Sequence, residues 1–304
     1  MKLDIIKAFG LSLIFLLSMS ELQAQFLGLG KKDGKRSSKS SPSGEIPQFQ
    51  FGLKGGINLN HLESIESHSV ITPVDLGTLL TNQKVYDKPY SNIGTQIGLS
   101  AAFALNHQLV LSVEPTFMTL KFGYQTAYSW SQGEDSFVNT DNDFDHALNY
   151  LDLPVMVKYH FTTGQIKPFV QAGGYYAFLT NANKTVTTTI EDSALGGSGD
   201  LTTSSQRLGV NDLFITSNAG IVGGAGVSID VGGSPGLDGN SDLGTVRFSL
   251  SVNYRQGLHN VVDVKNRYQD SELVSGNYDV LDDLKFKNIE VSISCLFTMK
   301  YSSK

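Results

Sequence analysis

Apolar and polar residues alternate one by one through most of this chain. In the stretch "LDLPVMVKYHF", Leu151, Leu153, Val155, Val157, Tyr159 and Phe161 alternate with Asp152, Pro154, Met156, Lys158 and His160. Residues two apart share one face of a strand. The stretch therefore has one greasy face, and its other face gathers a carboxylate, a proline, an ammonium and an imidazole. The same period recurs in eight segments: Phe49–Asn60, Ile93–Leu105, Leu109–Tyr124, Leu148–Phe161, Lys167–Thr180, Phe214–Asp230, Gly244–Leu258 and Ile289–Tyr301. In the seventh, Val246, Phe248, Leu250, Val252 and Tyr254 alternate with Arg247, Ser249, Ser251, Asn253 and Arg255. Helical periodicity is poor. Beyond the N-terminus no run approaches the roughly eighteen apolar residues of a membrane helix. The pattern predicts an all-β chain.

The connections between these segments are lopsided. Those after the second and fourth are short, at Asn106 and Thr162, whereas His61–Asn92, Gln125–Ala147, Asn181–Leu213 and His259–Asn288 are long. Each segment reaches the ~9–11 residues with which a tilted strand crosses a bilayer. Short turns on one side and long loops on the other are the signature of an outer-membrane barrel. The expected fold is an eight-stranded antiparallel up-and-down transmembrane β-barrel with four long extracellular loops.

The polar rows decide which face points outward. They are rich in small residues, such as Gly52, Gly56, Gly94, Gly98, Gly173 and Gly224, and poor in lysine. An eight-strand lumen is barely wide enough to be filled by side chains, so the small, polar face belongs inside and the greasy face meets lipid. Aromatics gather near the segment ends, as interfacial girdles do. Tyr159, Phe161, Phe297 and Tyr301 fall on the expected periplasmic side, and Tyr150, Tyr176, Phe178 and Tyr254 on the outer side.

Composition fits this reading. Of 304 residues, 17% are charged and 31 are glycine, against roughly 25% charged in an average soluble domain. The single cysteine, Cys295, excludes an intrachain disulfide and falls on the lipid-facing row. The first residues carry Lys2 and Lys7, an apolar stretch from Ala8 to Met19 and a small residue at Ala24. That is the layout of a secretory signal peptide, expected over residues 1–24. Residues 25–48 follow as a basic flexible periplasmic linker, in which Gly28–Gly44 sets Lys31, Lys32, Lys35, Arg36 and Lys39 against Asp33 alone. Serine, glycine and lysine without apolar residues cannot bury a core. Because the whole chain carries −6, Gly28–Gly44 carries +4 and the signal segment balances, the remainder from Glu45 onward, which includes the barrel at 49–304, carries about −10.

"FGLKGGINLN", "YLDLPVMVKYHF", "KPFVQAGGYYAFL" and "LSVNYRQGL" resemble the PorT-type outer-membrane β-barrel family of Bacteroidota (outer membrane protein beta-barrel domain). The tyrosine–leucine–acid–aliphatic–proline core of the fourth segment carries the resemblance most specifically. It extends over roughly Phe49 to Tyr301. The resemblance implies an eight-stranded barrel in the bacterial outer membrane and, for the founding type, a role in the type IX secretion and gliding machinery. The expected function is accordingly structural, in assembly, or accessory to secretion and gliding. Surface binding through the outer loops and a narrow channel are the alternatives.

Candidate chemistry is confined to charges on the inner row: Lys54, Glu114, Asp152, Lys158, Arg247, Arg255 and Glu290. Charges in a narrow low-dielectric lumen are tolerated only when paired. Hairpin geometry sets Arg255 opposite residues 290–292, near Glu290, and Glu114 within diagonal reach of Lys158. A lumen plugged by salt bridges is the expectation. The six histidines have no metal-ligand spacing, and no serine–histidine pair suggests a hydrolase. No catalytic residue, metal, cofactor or nucleic acid is expected. The expected partners are outer-membrane lipid and periplasmic or secretion-complex proteins, with the N-terminus in the periplasm. Glu134, Asp135, Asp141, Asp143 and Asp145 make the third outer loop acidic. Pro154, beside Pro115 on the preceding segment, predicts a break in the hydrogen-bond ladder.

Overall fold

A computed structural model describes residues 49–68, 84–131, 137–193, 201–231, 246–267 and 280–299. The expected signal segment 1–24, linker 25–48 and Tyr301 lie outside the described residues, as do Glu134 and Asp135. Among the described residues there are eleven strands: β1 (Phe49–Glu66), β2 (Val85–Tyr86), β3 (Asn92–Ala104), β4 (Leu109–Val113), β5 (Thr116–Ser131), β6 (Phe137–His160), β7 (Ile166–Asp192), β8 (Leu201–Gly209), β9 (Ser217–Val231), β10 (Val246–Gly257) and β11 (Asp283–Met299). All pairings are antiparallel. The ladder runs from β1 to β3, on through β4 and β5 to β6, then through β7, β9 and β10 to β11, which pairs back with β1. β2 attaches to β5 and β8 to β7, outside this cycle.

Two departures from the sequence pattern have physical causes. The third segment is cut between Val113 and Thr116, although its register against β6 is the same on both sides of the gap. Glu114 N–H donates to the Pro154 carbonyl (3.1 Å), but Pro154 has no N–H to return. The Thr116 hydroxyl donates to the Glu114 carbonyl instead, at 2.7 Å. Pro115 removes the equivalent bond on the β3 side, where Leu99 N–H still reaches its carbonyl (2.9 Å). On the other flank β6 pairs with β7 straight past Pro154. Each proline therefore deletes one bond on one side, and the interruption stays local.

The second departure concerns the long connections. Much of what reads as loop is strand: β6 is 24 residues long and β7 is 27. The third connection is the end of the β5–β6 hairpin, and the fifth segment continues past Thr180 into a hairpin with β8. Their alternation has the opposite sense, so by sequence alone they read as loop. Near the short turns, Val155, Val157 and Tyr159 are exposed and Met156, Lys158 and His160 are buried. Farther along β6 the exposed row is Asp141, Asp143 and Asp145, and Phe144, His146 and Leu148 are buried. The same strand is thus apolar-out at one end and apolar-in at the other. Its extended end folds like a water-soluble sheet. An apolar core fills that end, made of Leu120, Phe122, Tyr124, Phe144, Leu148 and Phe286 with Leu213, Phe214, Val261 and Val262 from the connections.

Inner-face glycines stand where neighbouring backbone comes close. A Cβ at Gly52 would sit 1.8 Å from the Cys295 carbonyl oxygen, and at Gly173 2.0 Å from that of Val155.

Candidate functional site

The inner rows of β1, β6, β10 and β11, with the Glu114 junction, bring six charges into one chain. Lys158 Nζ lies 2.7 Å from Glu114 Oε1, and Glu114 Oε2 lies 2.9 Å from Lys54 Nζ. Lys54 is 2.6 Å from Glu290 Oε1, and Glu290 Oε2 is 3.2 Å from Arg255 Nη1. Arg255 Nη2 reaches Asp152 Oδ1 at 2.6 Å. Its guanidinium lies over the Tyr175 ring, 4.1 Å from the centroid. All six are buried, and cations alternate with anions, so the chain is neutral. Asn253 Nδ2 donates to Glu290 (3.3 Å), and Gln171 donates in turn to Asn253.

Arg247, expected among these charges, belongs to a separate cluster near the short turns. Its Nε is 2.6 Å and its Nη2 3.0 Å from the Asp230 carboxylate, and Nη1 donates to Gln50 (3.0 Å). Lys167 joins Asp230 at 2.8 Å. Asp230 and Lys167 escaped the sequence reading because each ends a segment, although period-two parity places both on the inner row. The register also departs from the hairpin estimate. Arg255 stands opposite Asn288, with Glu290 opposite Asn253, so Arg255 reaches Glu290 diagonally. A symmetric β10–β11 loop would set Arg255 opposite 290–292. Instead, 261–263 fold back beside 213–215, where Ile215 N–H bonds the Val261 carbonyl (2.9 Å) and Asp263 N–H the Leu213 carbonyl (2.8 Å).

Among the aromatics, Tyr159, Phe161, Tyr176, Tyr254 and Phe297 are exposed. Phe178 is half-buried, edge-on to Tyr176 at 4.9 Å. Tyr150 is a correction to the expected girdle. It is 2% exposed and packs in the interior core, because it shares the parity of Asp152 and not that of Leu151.

At the far rim, Asp282 accepts from Tyr86 Oη (2.6 Å), Lys84 Nζ (3.1 Å) and the His68 backbone N–H (2.9 Å). Glu66, His68 and Asp283 also converge there. The Arg267 guanidinium contacts both His68 and Asp283, so a side-chain cation already serves this carboxylate. Burial, and then the Arg267 charge, holds the His68 imidazole below its ordinary range. His146 is more extreme: it stacks on Phe122 at 4.3 Å with neither ring nitrogen bonded. Burial, with Lys184 and Lys84 nearby, pushes its pKa well down.

The family model described as outer membrane protein beta-barrel domain matches residues 35–263. Among solved structures, OprG of Pseudomonas aeruginosa is 13% identical with a TM-score of 0.32, over 83% of this chain and 96% of that one. Ail, the attachment invasion locus protein of Yersinia pestis, in complex with the heparin analogue sucrose octasulfate, is 10% identical with a TM-score of 0.28, over 82% and 99%. Neisserial surface protein A is 13% identical with a TM-score of 0.24, over 82% and 95%. No curated protein matches the chain.

Proposed function

Because the chain belongs to the outer membrane protein beta-barrel domain family, we propose that it is a closed outer-membrane barrel of eight staves that works as a platform and not as a pore. β4 and β5 act as a single stave divided by prolines. The short turns and the N-terminus lie in the periplasm, and the extended sheets stand at the cell surface. The exposed apolar belt, which includes Leu53, Ile97, Val157, Ile221, Leu250 and Ile293, meets lipid. The filled interior carries this reading. The six-membered ion chain occupies its middle, and the apolar core with Phe214, Val261 and Val262 occupies its outer half. A polar path would need both to reorganise, and each charge left unpaired would cost several kcal/mol.

In the PorT-like role the barrel anchors or orients other components of an assembly, and its surface extension is the docking face. Planar-bilayer recording on the purified barrel tests the platform against the channel. No unitary conductance is expected from the natural chain or from Arg255→Ala. Regular, voltage-stable current steps in the natural chain would overturn the reading. Crosslinking in intact outer membranes then identifies what the platform carries, and the secretion or gliding role fails if no component of such machinery is captured.

A further inference from the structure

The β8 edge is an open template for another strand. Among the described residues β8 pairs only with β7, and Leu201–Arg207 are exposed on both faces. Val210 N–H donates to the Ala182 carbonyl (3.0 Å), which fixes the phase of the ladder. Hydrogen-bonded pairs recur at every second residue of an antiparallel pair. Thr202, Ser204 and Gln206 therefore turn their backbone groups towards β7, while Leu201, Thr203, Ser205 and Arg207 turn theirs to the open side. Native sheets protect such edges with prolines, bulges, inward charges or a covering loop. β8 has none of these among the described residues; Arg207 is its one charge.

The outward face of the same sheet is acidic. Register aligns Gln125, Asp143, Thr187 and Ser205 in one row, with Ala127, Asp141, Thr189 and Thr203 beside it. Asp141, Asp143, Asp145 and Glu191 on this face outnumber Lys121 and Arg207. The Asp145 carboxyl is held above its ordinary range by partial burial and then by Asp87 and Asp143, so further negative charge is unwelcome there.

We propose that the β8 edge accepts an extended, basic segment of a partner protein, which joins the sheet by strand addition. Main-chain bonds to Leu201, Thr203, Ser205 and Arg207 would supply affinity, and the acidic face would select cationic side chains. A second copy fits poorly. Copies inserted in one membrane share an orientation, so a two-fold axis along the membrane normal runs their β8 strands in the same direction and sets identical edges face to face. This inference rests on the platform reading for its biological setting, but its test does not, because it uses the purified full chain in detergent.

The probe is a fluorescent alternating Thr-Lys peptide of about ten residues, long enough to span a strand of this length. Saturable one-to-one binding is expected by fluorescence anisotropy, weakening as salt rises. T203P/S205P removes two edge N–H groups and spares the β7 ladder; it should weaken binding about tenfold or more. Natural chain with a peptide N-methylated at alternate residues should lose binding equally, which keeps the test decisive if the proline variant misfolds. An alternating Thr-Glu peptide should not bind. The proposal is overturned by undiminished binding of the N-methylated peptide, by natural affinity in a folded T203P/S205P chain, or by absence of saturable binding. It is also overturned if the chain forms a dimer that T203P/S205P abolishes, since the edge would then belong to a second copy.

Discussion

His146 shows what a polar inner-row residue does where the packed face of its strand turns apolar. Its ring lies between Phe122 and Tyr124, at 4.3 and 5.5 Å, in surroundings that reject a charge. The folded chain therefore resists protonation of this imidazole below the ordinary value of 6.5, while the unfolded chain does not. Protons then favour the unfolded state, so stability attributable to His146 is complete above that pH and declines as pH falls below it. His146→Phe should flatten the acid side of a melting-temperature profile below about pH 6.5, and an unchanged profile would reject this account. Glycines obey a similarly local rule. Gly52→Ala drives a methyl into the Cys295 carbonyl, whereas a Cβ at Gly223 meets only the Gln171 carbonyl at 3.8 Å. Gly52→Ala should abolish heat-modifiable migration on a gel, and Gly223→Ala should retain it. The polar row signalled that small residues belong inside, but only backbone proximity separates the obligatory glycines from the dispensable ones.

Elements were legible where one alternation of fixed sense ran from turn to turn. β1, β3, β10 and β11 follow it closely near the short turns, and so does the end of β6 that ends in His160. The extensions of β5, β6 and β7 were not legible, because their polar face points to water and their apolar face inward. A stretch such as "NTDNDFDH" then reads as an acidic loop although it forms strand. The interior charges were legible by parity, but their grouping was not, since grouping depends on register and on a connection that folds back inside. The proline interruption gives a direct test at this scale. Thr116→Val leaves the Glu114 carbonyl without its hydroxyl donor and should cost about 1 kcal/mol. In a Pro154→Ala background a backbone N–H can take over, so the same substitution should become nearly neutral. Equal costs in the two backgrounds, measured by urea unfolding as a double-mutant cycle, would mean that Thr116 does not replace the missing N–H.

Across the whole molecule the decisive quantity is interior charge balance. All six members of the chain are buried, so neutrality has to come from the chain itself. Its terminal pair, Arg255 and Asp152, can be removed together and still leave Lys158, Glu114, Lys54 and Glu290 balanced. Either member alone cannot. Asp152→Asn leaves one excess cation, and Arg255→Met leaves one excess anion beside Asp152, itself fully buried. Breaking a buried pair by deleting one partner costs about 3–5 kcal/mol, whereas replacing the whole pair with neutral groups of similar volume is often close to neutral. The double variant Arg255→Met/Asp152→Asn should therefore unfold at a higher urea concentration than Arg255→Met alone, with a combined cost well below the sum of the singles. Strictly additive losses would show that the charges interact with trapped water or lipid headgroups and not chiefly with one another. The barrel interior would then be open enough to reconsider as a conducting path. Coupling on the expected scale instead makes the ion chain a structural rivet.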